Sequence, residues 1–253
     1  MGFIPNPYDL CVMNKMINRK QCTILWHVDN LKISHVDPQV VTEVLDMINK
    51  KYGKEAPITT TQGKQHDYLG MQIDFSGDGE VRFAMTDYIF EILDKLPDNI
   101  GKGEAATPAA ERLFEVSNRS AKLNTSDAKI FHQLTAKLLF LSKRAHPNIQ
   151  LPVAFLCTHV KEPDMDDWKK LGRVMKYLRG SPGVPLVLSM DGTNTMRWYV
   201  DATFAVHKNM RSHTGTVMTM GRGAGISASG KQKVNTRGAQ LRLSWLESMK
   251  SLV

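Results

Sequence analysis

Cysteine is scarce in this 253-residue chain and occurs only at Cys11, Cys22 and Cys157. The three positions lie far apart and include no Cys-x-x-Cys pair, which excludes a disulfide scaffold and argues against a cysteine-bound zinc site. The eight histidines likewise lack a ligand spacing such as His-Glu-x-x-His. This use of cysteine fits a reducing compartment.

Long apolar runs are also missing from the sequence. No run reaches the ~18 residues that a membrane-spanning helix needs. Residues 1–7 have neither the basic region nor the apolar region of a secretion signal. We therefore expect an intracellular protein without a membrane partner, although the sequence does not indicate a particular compartment.

The charged residues are unbalanced in favour of the basic ones. A total of 33 Lys and Arg against 25 Asp and Glu gives a formal net charge of +8, and the isoelectric point is about 9.3. A positive charge suits a polyanionic partner, because binding releases counterions, and it also suits a charge that only maintains solubility. The length allows one large domain or two small ones.

The first elements are predicted from alternation and from helix-start signals. Residues 21–36 alternate in polarity, which predicts a β-hairpin whose tight turn holds Asp29 and Asn30. Asp37 and Pro38 follow, and they are suited to cap and begin an α-helix that ends at Gly53.

Alternating stretches typical of strands and apolar stripes typical of helices continue along the chain. We therefore predict an α+β fold. Residues 97–125 show no period and are interpreted as an irregular linker. Pro152 predicts a helix that begins near residue 150 or is kinked there. The other predicted elements are a hairpin over 66–86, a short helix around 89–96, a helix capped by Thr125 or Ser126, a helix over 163–179, and strands over 184–189, 197–201, 214–220 and 226–229.

Three sets of residues are candidates for function. His27-Val28-Asp29-Asn30 places a carboxylate at a hairpin tip, which is how polymerases hold two Mg²⁺ ions beside the reacting oxygens. Taken alone, that string favours an ordinary turn, and Asp201 taken alone favours a strand-end residue. The third set consists of the helix cations Lys169, Lys170, Arg173, Lys176 and Arg179, which form either a solvated face or a surface for a phosphate backbone.

Longer stretches resemble the reverse transcriptases of copia-type LTR retrotransposons, in the same order. Cys22–His35 is similar to the Tyr-x-Asp-Asp hairpin, and Tyr68-Leu69-Gly70 stands where that family carries a Tyr/Phe-Leu-Gly motif near the primer. Further similar stretches are Ala106–Pro108, Phe131–Leu141, His146–Ile149, Ala154–Leu156, Val174–Gly180, Tyr199–Ala202, Arg211–Gly215 and Ser229–Gln232.

The resemblance implies an RNA-directed DNA polymerase with an RNase H domain. It implies Mg²⁺ as cofactor, an RNA–DNA hybrid or template–primer as nucleic-acid partner, and the remainder of a retroelement polyprotein as a further partner. It makes Asp29 and Asp201 catalytic, metal-binding remnants. The residues that it implies for nucleic-acid contact are Tyr68, Leu69, Gly70, Lys169, Lys170, Arg173 and Lys176.

The resemblance also divides the chain into five parts. Residues 1–96 correspond to the distal palm and the region next to the thumb, and residues 97–125 to a linker. Residues 126–182 correspond to a helical connection and residues 183–236 to a partial RNase H-like sheet. Residues 237–253 match nothing in the family.

Departures from the family pattern predict a loss of activity. Asn30 stands in place of the second aspartate and His27 in place of the tyrosine. An amide is neutral and a poorer Mg²⁺ ligand than a carboxylate. The palm strand that carries the other essential aspartate, and the fingers, have no counterpart in the sequence. We therefore expect an inactive enzyme fragment; the alternatives are a nucleic-acid-binding module without chemistry and a retroelement relic without function.

The last residues depart from the family most strongly. With a suitable choice of codons from Gly238 onward, a reading frame shifted near Arg237 would encode Ser-Ser-Thr-Glu-Ala-Glu-Leu, the string that carries the family's RNase H glutamate. We therefore interpret residues 237–253 as a frame-shifted tail that lacks this glutamate. The alternative is an amphipathic helix, because Leu241, Trp245 and Met249 have partial helical spacing.

Overall fold

Stretches that alternate in polarity form strands near both ends of the chain, and the periodic stretches between them form helices. This mixture of helix and sheet confirms the predicted α+β class. The predicted domain boundaries at 96, 125, 182 and 236 stay predictions, and the predicted tail over 237–253 lies outside the described residues. The computed structural model describes residues 1–54, 56–97, 99–117 and 119–233 and divides into two compact units, Met1–Leu69 and Gly70–Val253.

The first unit is an antiparallel sheet with one helix. Its four neighbouring strands follow chain order: β1 (Ile4–Pro5), β2 (Val12–Ile17), β3 (Lys20–His27) and β4 (Asn30–Ser34). Helix α1 (Pro38–Tyr52) and strand β5 (Gln65–Tyr68) complete the unit.

Local signals account for α1, as predicted. Asp37 accepts a hydrogen bond from the Gln39 backbone N–H at 2.9 Å, and Pro38 occupies the first turn, where its missing N–H costs nothing. Gly53 caps the end and donates to the Asn49 carbonyl at 2.7 Å. The apolar stripe of α1 packs against one face of β3, and the buried residues are Cys22, Ile24, Val40, Val44 and Ile48.

In its described residues, the second unit contains the remaining helices and two further sheets. Its helices are α2 (Thr86–Asp94), α3 (Thr125–Ser142), α4 (Gln150–Cys157) and α5 (Met165–Gly180). Its strands are β6 (Met71–Asp74), β7 (Glu80–Ala84), β8 (Leu186–Met190), β9 (Arg197–Thr203), β10 (His213–Thr219), β11 (Gly221–Arg222) and β12 (Ile226–Lys231).

The four helices of the second unit share one apolar core. Its fully buried members include Ile89, Phe131, Leu138, Phe155, Leu171 and Met175. Helix α5 begins with a reciprocal cap, in which Asp164 accepts from the backbone of Asp166 and Asp167 while Asp167 accepts from the Asp164 N–H. Helix α4 begins at Gln150 and has Pro152 in its first turn, as predicted.

One predicted helix cap is wrong. Neither Thr125 nor Ser126 caps α3; the cap is Asn124, whose side chain accepts from the Asp127 N–H at 2.8 Å. Asparagine serves this role as well as serine or threonine, because its side-chain oxygen reaches the same unpaired backbone donor.

The two sheets of the second unit are antiparallel. Strands β11, β8, β7 and β6 lie side by side in that order, and β12, β10 and β9 form a three-stranded sheet with β10 in the middle. The three-stranded sheet lies against α4, where Gln150 donates to the Ser227 hydroxyl at 2.7 Å. This sheet contains Asp201 in β9.

Candidate functional site

Asp29 lies at the tip of the β3–β4 hairpin. His27 pairs with Asn30 across the strands, so the two turn residues are Val28 and Asp29, not Asp29 and Asn30 as predicted. The side chain of Val28 is 88% exposed, and its φ of 56° is in the left-handed region, which is unusual for a β-branched residue. A strained exposed turn of this kind is often associated with a functional site.

The residues around Asp29 do not fit a two-metal centre. The neighbouring Asn30 donates its side-chain amide to a carboxylate oxygen of Asp29 at 3.1 Å. Within the described ranges, no group of three His, Cys, Asp or Glu side chains is arranged to hold a metal ion. Because two Mg²⁺ ions require several carboxylates, the described residues do not supply the Mg²⁺ site that the resemblance implies.

Asp201 is a solitary exposed carboxylate in β9. It lies opposite Gly215 of β10, and its side chain accepts from the Ala202 backbone N–H at 2.9 Å. A nearby glutamate and further aspartates would be needed to make this position an RNase H centre, and the described part of the chain assembles no such set. The catalytic and metal-binding roles of Asp201 stay predictions from the resemblance.

Tyr68, Leu69 and Gly70 form a turn of unusual backbone geometry. Leu69 and Gly70 have φ values of 53° and 76°, so two successive residues are left-handed. The Tyr68 hydroxyl is buried without a hydrogen-bond partner among the described residues, and burial raises its pKa. A buried hydroxyl without a partner lowers the stability of the fold, and it can still donate or accept a hydrogen bond. The role of this turn near a primer stays a prediction from the resemblance.

Four of the five predicted helix cations line a cleft of about 600 Å³. The fifth, Arg179, is not among the lining residues and donates to the Gly103 carbonyl at 3.3 Å. The cleft lies between α5 and the irregular segment that joins α2 to α3. Its cations are Arg112, Lys169, Lys170, Arg173 and Lys176, and its carboxylates are Glu104 and Asp166. With five positive and two negative side chains, the lining favours an anion.

The cations differ in how much of their charge is already engaged. Lys170 is only 14% exposed and contacts Asp166 at 2.8 Å and the Glu115 carbonyl at 2.6 Å, so it mainly holds the cleft wall. Arg173 donates to Thr107 Oγ1 at 2.8 Å. Lys169 and Lys176 have no ion-pair partner within the described residues and are therefore the cations most available to a ligand.

A glycine at position 101 allows the irregular segment to approach α5 closely. Gly101 has a φ of 65°, and a Cβ built there would lie 3.0 Å from Met175 Cβ and 3.3 Å from the Gly172 carbonyl oxygen. The segment is then held by the Ala105 N–H, which donates to the Lys176 carbonyl at 3.3 Å. Described residues between 99 and 113, within the predicted linker, therefore form a packed wall of the cleft.

Gly101→Ala is expected to destabilise the second unit by roughly 1–3 kcal/mol, since it adds a steric clash to a strained φ. Gly103→Ala is the matched control: its φ of 83° is also left-handed, but nothing lies within 4 Å of the added carbon. Urea unfolding of both variants measures the difference. Equal losses for the two variants would contradict the close packing of Gly101 on α5.

The sequence did not indicate Arg112 as a lining residue of the cleft, or Thr107 as the hydrogen-bond partner of Arg173. Both lie in the segment without a period, where spacing carries no information about neighbours. The available signal was the pair Gly101 and Gly103 followed by Thr107-Pro108, which is typical of an irregular but fixed chain path.

Across residues 1–233, apart from the three single-residue gaps, no helix combines the length and the apolar character needed to cross a membrane.

Comparison with known proteins identifies relatives among transposon proteins. The chain is 24% identical over 208 residues to a transposon Ty5-1 protein of Saccharomyces cerevisiae, a span that covers 81% of this chain and 64% of the yeast protein. It is 23% identical over 205 residues to a retrovirus-related Pol polyprotein from transposon RE2 of Arabidopsis thaliana, covering 81% of this chain and 13% of the polyprotein. The chain is 22% identical over 234 residues to the corresponding polyprotein from transposon RE1 of Arabidopsis thaliana. This span covers 92% of this chain and 15% of the polyprotein.

No protein-family model and no solved structure matches the chain. The similarity spans less than two thirds of the length of each of these relatives. These relatives, at low identity, support a retrotransposon polyprotein.

Proposed function

We propose that the chain represents the end of the reverse transcriptase and the beginning of the RNase H region of a copia-type retrotransposon, and that it binds nucleic acid without catalysing nucleotidyl transfer. The proposed nucleic acid is an RNA–DNA hybrid or a template–primer duplex. The cationic cleft beside α5 carries this proposal. The transposon relatives support the coarser part of this assignment, a fragment of a retroelement polyprotein.

The arrangement of charges supports recognition of a phosphate backbone. Lys169, Arg173 and Lys176 recur at steps of four and three along α5, and such residues lie on one side of a helix. The opposite side of α5 is buried in the helical core through Leu171, Val174 and Leu178 in the same element. The cations therefore stand on a fixed support, and contacts of this kind give affinity without base specificity.

The lack of nucleotidyl transfer follows from the donor set at the hairpin tip. Asp29 is the only carboxylate that the family pattern retains there, and its neighbour Asn30 is a neutral amide. A single exposed carboxylate does not hold two Mg²⁺ ions against water. On this proposal, the hairpin is the counterpart of a polymerase hairpin and lacks its metal-dependent chemistry.

The double variant Lys169→Gln/Lys176→Gln is expected to weaken binding of an RNA–DNA hybrid about tenfold or more at 0.1 M salt. The physical reason is the loss of two phosphate contacts, which also reduces the slope of log K against log salt by about 2. Fluorescence anisotropy with a labelled hybrid over a salt series measures both quantities.

The matched control for the cleft is Lys129→Gln/Lys161→Gln. It removes two exposed lysines outside the cleft and changes the net charge by the same amount. If the control weakens binding as much as the cleft variant, binding depends on overall charge and not on the cleft. If the unsubstituted chain does not bind the hybrid even at low salt, the proposed function is wrong.

A further inference from the structure

Two buried histidines connect three separate segments of the second unit. His207 lies in the loop after β9, His213 begins β10, and each is only 3% exposed. Nε2 of His207 lies 3.1 Å from Nδ1 of His213, and Nε2 of His213 lies 2.8 Å from the Ser229 hydroxyl oxygen in β12. A continuous hydrogen-bonded chain therefore joins the loop to both strands.

Aromatic rings from the helical side of the unit cover this histidine pair. The ring of Phe114 lies 5.3 Å from that of His207 and 5.2 Å from that of His213, measured between centroids. Phe155 of α4 is stacked parallel to His207 at 6.2 Å. The two imidazoles thus serve as part of the surface through which the three-stranded sheet packs on the helices, a role that suits their neutral form.

The charged groups around the pair are mainly cationic. Lys231 of β12 and Arg211 of the loop lie on the sheet side. On the helical side are His159 and Lys170, whose Nζ lies 4.7 Å from the centre of the Phe155 ring. Two carboxylates also lie on the helical side: Asp167, 3.0 Å from Nδ1 of His159, and Asp166, 2.8 Å from Nζ of Lys170.

Burial lowers the pKa of His207 to about 4, and the positive charges of Lys231, His213 and His159 act in the same direction. Burial also lowers the pKa of His213. A histidine whose pKa is lower in the folded chain than in the unfolded chain contributes its full stability above pH ~6.5. This stability is lost as the pH falls from about 6.5 through the pKa of about 4 that His207 has in the folded chain.

We propose that the His207–His213 pair is a pH-sensitive switch whose protonation releases the three-stranded sheet from Phe114 and Phe155. In the neutral pair, the two facing nitrogens share one hydrogen. When both imidazoles are charged, each facing nitrogen carries its own hydrogen, so the hydrogen bond is lost. Two positive charges then stand about 3 Å apart between aromatic rings, where little water can screen them.

Hydrogen–deuterium exchange of the full chain at pH 7 and pH 4.5, corrected for intrinsic exchange rates, tests this switch. Backbone amides of β10 and β12 are expected to lose protection by about tenfold to a hundredfold at the lower pH. Amides of α3 and α5 are expected to change much less. The variant His207→Gln places a neutral amide at the position of Nε2 and is expected to keep the sheet protected at pH 4.5.

The control His132→Gln removes an exposed histidine of α3 and is expected to behave like the unsubstituted chain. Equal loss of protection in helices and sheet would overturn the switch, because His146 is a third buried histidine, and burial lowers its pKa to about 4. A sheet that stays protected at pH 4.5 in the unsubstituted chain would overturn it as well.

An NMR titration of histidine ring protons in the unsubstituted chain keeps the proposal testable if His207→Gln does not fold. The His207 and His213 signals are expected to remain in their neutral positions at pH 6 and to shift only as the sheet amides lose protection. Protonation of both rings in a chain with a fully protected sheet would contradict the proposal.

Discussion

Replacing Phe155 by alanine is expected to lower the free energy of unfolding of the second unit by about 3–5 kcal/mol. Phe155 is completely buried in α4. Its ring lies 5.6 Å from the ring of Phe114 and 4.5 Å from that of His159. Truncation therefore removes apolar contacts on several sides at once, and the cavity cannot collapse without moving the helix.

Thermal unfolding followed by circular dichroism measures this effect. For a unit of this size the loss corresponds to a fall in Tm of roughly 10 °C. Phe90→Ala is the control, since Phe90 belongs to the neighbouring helix α2 but is 47% exposed. The same chemical change is expected to cost below about 1 kcal/mol there. Similar losses in the two variants would mean that Phe155 does not occupy the centre of the core.

The helices with strong local signals were predictable from the sequence. Helix α1 is specified by Asp37, Pro38 and an apolar stripe, and α5 by its acidic start and basic end. These signals act between residues that are close along the chain, so they need no knowledge of the rest of the fold. The α+β class follows from the same local patterns.

The hairpin tip shows where local reasoning fails. Asp and Asn accept a positive φ more easily than valine does, so the sequence favours a turn at Asp29 and Asn30. The structure instead places Val28 in the turn, since pairing of β3 with β4 aligns Ile24 with Ile33 and thereby sets the register of the whole hairpin. Strand pairing over several residues outweighs the preference of one turn residue.

The cleft and the histidine pair depend on contacts between distant residues. Arg112 and Lys176 line one cleft although 64 positions separate them, and the intervening sequence gives no spacing rule for such a pair. His213 and Ser229 meet because β10 and β12 pair in register around Gly215 and Ser229. These sites are consequences of packing and sheet register, which a single sequence does not determine.

The basic helix is an intermediate case. The four cations Lys169, Lys170, Arg173 and Lys176 were identified from the sequence, and the structure places them along one cleft. Their different roles were not predictable, because the partners of Lys170 are Asp166 on the same helix and the backbone of the distant Glu115. A charge pattern thus locates a surface but does not show which charges remain available.

No incorporation of labelled dTTP on a poly(rA)/oligo(dT) template is expected from the purified chain with Mg²⁺, above the level of a sample without protein. Nucleotidyl transfer needs two metal ions to stabilise the attacking and leaving oxygens. Asp29 is exposed and hydrogen-bonded to Asn30, and the described residues contain no cluster of three ligands. An active reverse transcriptase assayed in parallel shows that template and nucleotide are competent.

The variant Asn30→Asp separates two explanations of this inactivity. If the missing second carboxylate were the whole defect, restoring it would restore incorporation. We expect no incorporation from this variant either, because two adjacent carboxylates on one exposed turn still leave most positions of two Mg²⁺ ions to water. Incorporation by the unsubstituted chain that is abolished by Asp29→Asn would show an active centre completed by residues other than those described, and the proposal of an inactive nucleic-acid-binding chain would be wrong.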